Sequence, residues 1–242
     1  MTARFYRQAG VAEAEGGFAV TLDGRAVKTP ARCSLILPTE ALAEAVAAEW
    51  DAQEKDVRPE TMPLTRLANT ALDRMRTERV GIVKAIAAYG GSDLLCYVAA
   101  SPRELRERQD ALWSPWRDWA AKRYDVTLMA GEGLMPLRQK PETLAVFERA
   151  VAASDDWALT ALSDAVPLTG SLVLGLALIE GALEEEEAWR LSRLDEDHQA
   201  ALWGQDSEAE MRAQAQRAAL FDAMRFLRLA RGQGIRSARN GA

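Results

Sequence analysis

The polar and apolar positions first alternate with a period of two. Phe18, Val20 and Leu22 are separated by Ala19 and Thr21, the spacing of a half-buried strand. Asp23-Gly24 follows, a pair suited to a tight hairpin turn, so residues 25–28 are expected to return as the partner strand. Phe5-Tyr6-Arg7 and Leu35-Ile36-Leu37 are further short strand candidates. A sheet this small leaves a face uncovered. The next segment predicts its cover, a helix from Pro38-Thr39-Glu40 to about Gln53. Leu42, Val46 and Trp50 fall on one face of that helix, and Glu40, Glu44 and Asp51 on another.

Pro59 and Pro63 punctuate residues 54–63, and beyond them the period becomes helical. Helices are expected over 64–75 and 80–89, separated around Thr77. Another runs from Ser101-Pro102 to near Trp113, and Ser114-Pro115 restarts a further one. Trp116 and Trp119 should share a face of it. Residues 126–129 are ambiguous, and a loop with Gly131, Gly133 and Pro136 follows. Helices then span 141–153, 155–162, 168–179 and 183–202. The last begins at the capping box of Ser207 and Glu210 and reaches Ala230, with Leu220, Met224 and Leu227 inward. The expected class is α+β: a small β-containing domain over 1–60 with a covering helix, an all-helical domain over 61–231, and a flexible tail over 232–242.

Composition narrows the chemistry. Seven Trp and seven Met stand beside one His and two Cys, so side chains for packing outnumber those for catalysis. A zinc site needs four ligands at set spacing, which His198, Cys33 and Cys96 do not supply. No calcium-loop signature occurs, and no metal or other cofactor is expected. Any nucleophile triad must run through His198, yet there is no Gly-x-Ser-x-Gly elbow. Phosphate loops are absent too; Gly131-Glu132-Gly133 offers two glycines and an acid. Paired carboxylates remain an alternative: a hydrolase-type enzyme with its site between the two domains.

The formal net charge of −6 opposes nucleic-acid binding, despite the local basic run of Arg225, Arg228, Arg231, Arg236 and Arg239. MTARFYRQAG lacks the apolar stretch of a secretory signal, and LVLGLALI at 172–179 is too short for a bilayer. The expectation is a cytoplasmic protein without stable membrane insertion, monomeric when free, with two unpaired thiols. The excess of Trp fits inter-helix packing, with some rings left for a partner. Trp203, followed by Gly204 at a helix junction, is best placed for contact.

Several phrases resemble one family, the assembly chaperones that bind the alpha subunit of F1-ATPase in mitochondria and alphaproteobacteria. They are RFY at 4–6, LDGRAVKTP at 22–30, LPTEALAEAVAAEWDAQ at 37–53, MPLTRLANTALD at 62–73, GGSDLLCY at 90–97, LTGSLVLGLAL at 168–178 and LSRLDEDHQAALWGQD at 191–206. The resemblance spans nearly the whole chain. It implies a β-containing N-terminal domain and a helical C-terminal domain, no enzymatic activity, and binding to the free alpha subunit before the alpha–beta hexamer forms, so that its beta-facing interface is shielded. It also implies a partner-binding role for Glu196, extended to Asp195, Gln199, Trp203 and Asp206. The rival role for Glu196 is an ion pair with Arg193 inside the helical domain. A permanent scaffold of the finished complex is a third reading.

Overall fold

Only backbone groups left unclaimed can form a ladder, and at the N-terminus side chains claim them. The computed structural model describes residues 2–133, 137–204 and 206–233. In it the guanidinium of Arg4 donates to the carbonyls of Tyr6 (3.2 Å) and Arg7 (2.8 Å), and the carboxylate of Asp23 accepts from the N–H groups of Arg7 and Gln8. Residues 5–7 are therefore not the expected strand. The strand lies earlier, as β1 (Thr2–Ala3). Tyr6 is instead a buried anchor, its hydroxyl donating to the Trp50 carbonyl at 2.6 Å.

A strand absent from the sequence reading follows, β2 (Ala9–Ala14); its alanines and glutamate give no clear alternation. It pairs antiparallel with β3 (Gly17–Leu22), Val11 opposite Val20. Asp23 and Gly24, at φ 49° and 78°, make the expected turn into β4 (Arg25–Ala26). The other neighbour of β3 is β5 (Ile36–Leu37), with Phe18 opposite Leu37. As expected, α1 (Glu40–Asp51) covers this four-stranded sheet, burying Leu42, Ala43, Val46 and Ala47. Thr39 caps it, accepting from the Leu42 N–H at 3.2 Å and donating to the Leu229 carbonyl at 2.7 Å. A short β6 (Asp56–Val57) pairs with β1.

The chain then becomes helical. The first helix, α2 (Pro63–Asn69), passes through a wider π-type turn at Thr70–Arg74 into α3 (Met75–Ala87). There is no break at Thr77, whose hydroxyl donates to the Asp73 carbonyl within the helix (3.3 Å). After β7 (Tyr97–Val98), the helix α4 (Arg103–Tyr124) runs through Pro115 rather than restarting there. Trp113 before that proline and Ala120 after it are fully buried, so packing overrides local propensity. Trp116 and Trp119 share a face as expected, with ring centroids 6.2 Å apart.

A parallel pairing joins β7 to β8 (Gly131–Glu132). Then come α5 (Pro141–Ala152) and α6 (Asp156–Thr169), the latter about two turns longer than its sequence suggested. Gly170, at φ 66°, ends α6, and Ser171 caps α7 (Leu172–Ile179), so the expected helix over 168–179 is divided. All eight residues of α7 are buried. The expected helix over 183–202 also divides, into α8 (Glu185–Ser192) and α9 (Leu194–Trp203), and α10 (Ser207–Ala230) ends the described chain with Leu220, Met224 and Leu227 inward.

Backbone contacts separate two compact units. One runs to Glu78 and resumes at Asp222; the other is Arg79–Phe221. The prolines of residues 54–63 predict a boundary near residue 60, whereas this division falls after Glu78 and returns the end of α10 to the first unit. No described helix is long and apolar enough to cross a membrane. Cys33 and Cys96 are both free, and burial, with Asp93 nearby, pushes the Cys96 thiol up to about 12. Pro136, Arg236, Arg239 and the tail beyond Gln233 lie outside the described residues.

Candidate functional site

Arg193 departs from helical geometry (φ −111°, ψ 8°), and that break makes the phrase LDEDHQ the start of its own helix. Asp195, Glu196 and Asp197 thereby occupy the first turn of α9, where the helix dipole favours negative charge. Leu194 is the buried residue that pins the turn.

The five candidate residues do not share one environment. Asp195 is half-buried and accepts a hydrogen bond at Oδ1 from Nε2 of Gln109. Gln109, on α4, is fully buried and accepts at Oε1 from the Ala99 N–H at 2.6 Å. Burial raises the Asp195 carboxyl above its ordinary value; Glu196 adds to the rise, and His198 opposes it. Asp195 thus couples α9 to α4. Glu196 is exposed, with Oε1 3.7 Å from Nη1 of Arg193, a long and solvated pair. Gln199 is exposed as well. Trp203 keeps 84% of its surface exposed at the end of α9. Asp206 accepts from the Glu208 N–H (3.1 Å), so it caps α10 in the place expected of Ser207.

Three residues of this region were missed. Leu202 and Met211 are largely exposed; a helical period places Leu202 beneath Leu194 and assigns it to the core. Gln109 carried no signal, since a buried amide looks like any surface glutamine in sequence.

The chemistry of catalysis does not assemble here. His198 Nε2 is buried without a hydrogen-bond partner among the described residues, so no nucleophile is poised on that nitrogen. No group of three His, Cys, Asp or Glu among the described residues is placed to hold a metal. An open cavity of about 600 Å³ lies at the ends of α4, α5 and α7, away from all five candidates. In its wall Glu180 accepts from the Tyr124 hydroxyl and from Arg123 Nε, both at 2.7 Å.

Comparison with known proteins places this geometry. A profile described as ATP12 chaperone protein matches residues 3–121. Protein atp12, mitochondrial, of Schizosaccharomyces pombe is 25% identical over 218 residues, covering 85% of this chain and 75% of its own. The crystal structure of Atp12 from Paracoccus denitrificans superposes with a TM-score of 0.89 at 43% identity, covering 95% of this chain and 98% of that one. The chain belongs to the ATP12 chaperone protein family. A point mutant of the Paracoccus protein (TM-score 0.89, 42% identity, covering 95% of this chain and 98% of that one) and a chaperone candidate from Agrobacterium tumefaciens (0.86, 41%, covering 93% and 85%) share the fold. It is an ATP synthase assembly chaperone and not an enzyme, so the hydrolase alternative falls away.

The ATP12 phrases serve two ends. In three of the junctions they build scaffold. Asp93 of GGSDLLCY accepts from Ser171 Oγ (2.7 Å) and the Val173 N–H (3.0 Å) of LTGSLVLGLAL. Glu49 of the first helix accepts from the N–H groups of Leu64 and Thr65, both at 2.8 Å, in MPLTRLANTALD. Asp73 accepts from the Thr29 hydroxyl (2.6 Å) of LDGRAVKTP. LSRLDEDHQAALWGQD differs. It buries Leu191, Ser192 and Leu194 and leaves Glu196, Gln199, Trp203 and Asp206 in solvent.

Proposed function

We propose that this chain binds the free alpha subunit of the F1 sector through the exposed side of α9 and the start of α10, and shields its beta-facing surface until the alpha–beta hexamer forms. Membership of the ATP12 family supports the partner. The exposure of Glu196, Gln199, Trp203 and Asp206 on one short stretch supports the site. An unassembled subunit presents apolar and charged surface meant for its neighbour. A holding protein covers such a surface reversibly, with a few anchors and a charged rim. In this reading Glu196 accepts a charge-assisted hydrogen bond from an Arg or Lys of the partner, which outcompetes its 3.7 Å pair with Arg193. Asp195 sets the helix through Gln109 and does not itself meet the partner. The free chain acts as a monomer, without cofactor or nucleic acid.

Co-expression with the alpha subunit alone tests the reading. A soluble one-to-one complex, absent from assembled F1, is expected. An alpha subunit that stays insoluble and unbound contradicts it, and stable retention in assembled F1 favours the scaffold reading instead.

A further inference from the structure

Large apolar side chains exposed among the described residues are few, and half of them cluster. They are Phe5, Val80, Met129, Leu202, Trp203 and Met211. The last three fall between the end of α9 and the second turn of α10, and are 62%, 84% and 63% exposed. Ala215 and Ala218 are also exposed and lie four and seven positions beyond Met211, on the same face of α10. These small side chains leave that face low enough for another backbone to approach.

Charge around this elbow is one-sided. From Glu184 to Ala218, ten carboxylates stand against four arginines, so this stretch carries the whole formal net charge of −6 and the rest of the chain is balanced. Each of these arginines has an acidic neighbour: Arg190 with Glu187 (2.9 Å), Arg193 with Glu196 (3.7 Å), Arg212 with Glu208 (3.6 Å), and Arg217 with Glu186. Asp197, Glu208 and Glu210 flank the apolar residues in sequence and are exposed.

We propose that the α9–α10 elbow docks a cationic amphipathic segment of the incoming subunit, seating its apolar side chains on Leu202, Trp203 and Met211 and its Arg or Lys against Glu196, Asp197, Glu208 and Glu210. This deepens the alpha-subunit reading and rests on it. Desolvation of an exposed Trp is a typical source of affinity at interface centres, while carboxylates around it orient the partner and speed encounter. A second copy of this chain fits poorly, because a self-complementary contact would bring two acidic elbows together.

The test titrates purified free alpha subunit into full-length wild type, Trp203→Ala and the double variant Leu202→Ser with Met211→Ser, at about 50 mM and about 500 mM salt. Trp203→Ala is expected to weaken binding at least about tenfold at both salt concentrations. Wild-type association is expected to slow several-fold at high salt, and all three proteins should melt together. Wild type that binds, with Trp203→Ala binding equally well, overturns the inference and leaves the alpha-subunit reading standing. Wild type that does not bind overturns that reading itself. A wild-type dimer in sedimentation that Trp203→Ala abolishes assigns the face to a second copy and also overturns the inference.

Discussion

The core around α7 and the elbow between α9 and α10 lie in the same compact unit and treat their apolar residues in opposite ways. In α7 all eight residues are buried, among them Leu172, Val173, Leu174, Leu176, Leu178 and Ile179. Each side chain of that kind contributes about 1.5–3 kcal/mol by leaving water. At the elbow, Leu202, Trp203 and Met211 stay in water and contribute almost nothing to folding. A Trp side chain carries roughly 200 Å² of surface, on the order of 5 kcal/mol at about 25 cal/mol per Å² before the costs of association. The carboxylates divide in the same way. Asp93 is fully buried, spanning the start of α7 and the Leu95 N–H (3.0 Å), whereas Glu196 is exposed and lies 3.7 Å from Arg193. Asp93 is thus tied to the backbone of the core, whereas Glu196 meets only a long, solvated pair among its described contacts.

Removing the buried clasp should have the largest effect. Asp93→Ala leaves Ser171 and the N–H groups of Leu95 and Val173 without their acceptor. A loss of about 3 kcal/mol or more is expected, read as a large drop in Tm by circular dichroism. Asp93 also carries a pH signature. Burial holds its carboxyl above the ordinary value, outweighing the hydrogen bonds from Val173, Ser171, Leu95 and Leu172. The folded state therefore holds the proton more tightly than the unfolded chain. The stability from this group is fully present below the ordinary carboxylate range and is lost as pH rises through the raised value. The Tm advantage of wild type over Asp93→Asn should accordingly shrink as pH rises from about 4 to about 7.

Asp195→Ala should come next, at about 1–3 kcal/mol, because it leaves the Nε2 of Gln109 without its acceptor. A Tm equal to wild type would break the distinction between Asp195 and Glu196. In the other unit, Glu49→Ala removes the carboxylate that accepts from Leu64 and Thr65 at the start of α2. A loss of about 1–2 kcal/mol is expected in denaturant unfolding. The smallest effect on stability belongs to Glu196→Gln, where no change in Tm is expected.

The sequence was legible wherever one face of an element is buried. The alternation of Phe18, Val20 and Leu22, the Asp23-Gly24 turn and the stripe of Leu42 and Val46 led directly to β3 and α1. It was not legible where a side chain overrides local preference. Arg4 consumes the carbonyls that Phe5-Tyr6-Arg7 would have used in a ladder, and packing carries α4 through Pro115. The return of the end of α10 to the first unit had no local signal, since it depends on distant contacts such as Thr39 with Leu229. At the site, the phrase LSRLDEDHQAALWGQD drew attention to five residues but could not divide them. Asp195 and Glu196 are neighbours in sequence with the same charge; only the presence of Gln109 beneath one of them separates their roles.

The most direct measurement puts Tm and alpha-subunit affinity side by side, on the same preparations, for wild type and Glu196→Gln. The account predicts an unchanged Tm and a Kd several-fold weaker. A Tm that falls together with affinity would mean that Glu196, like Asp93, props the fold, and would contradict the assignment of the α9 surface to the partner.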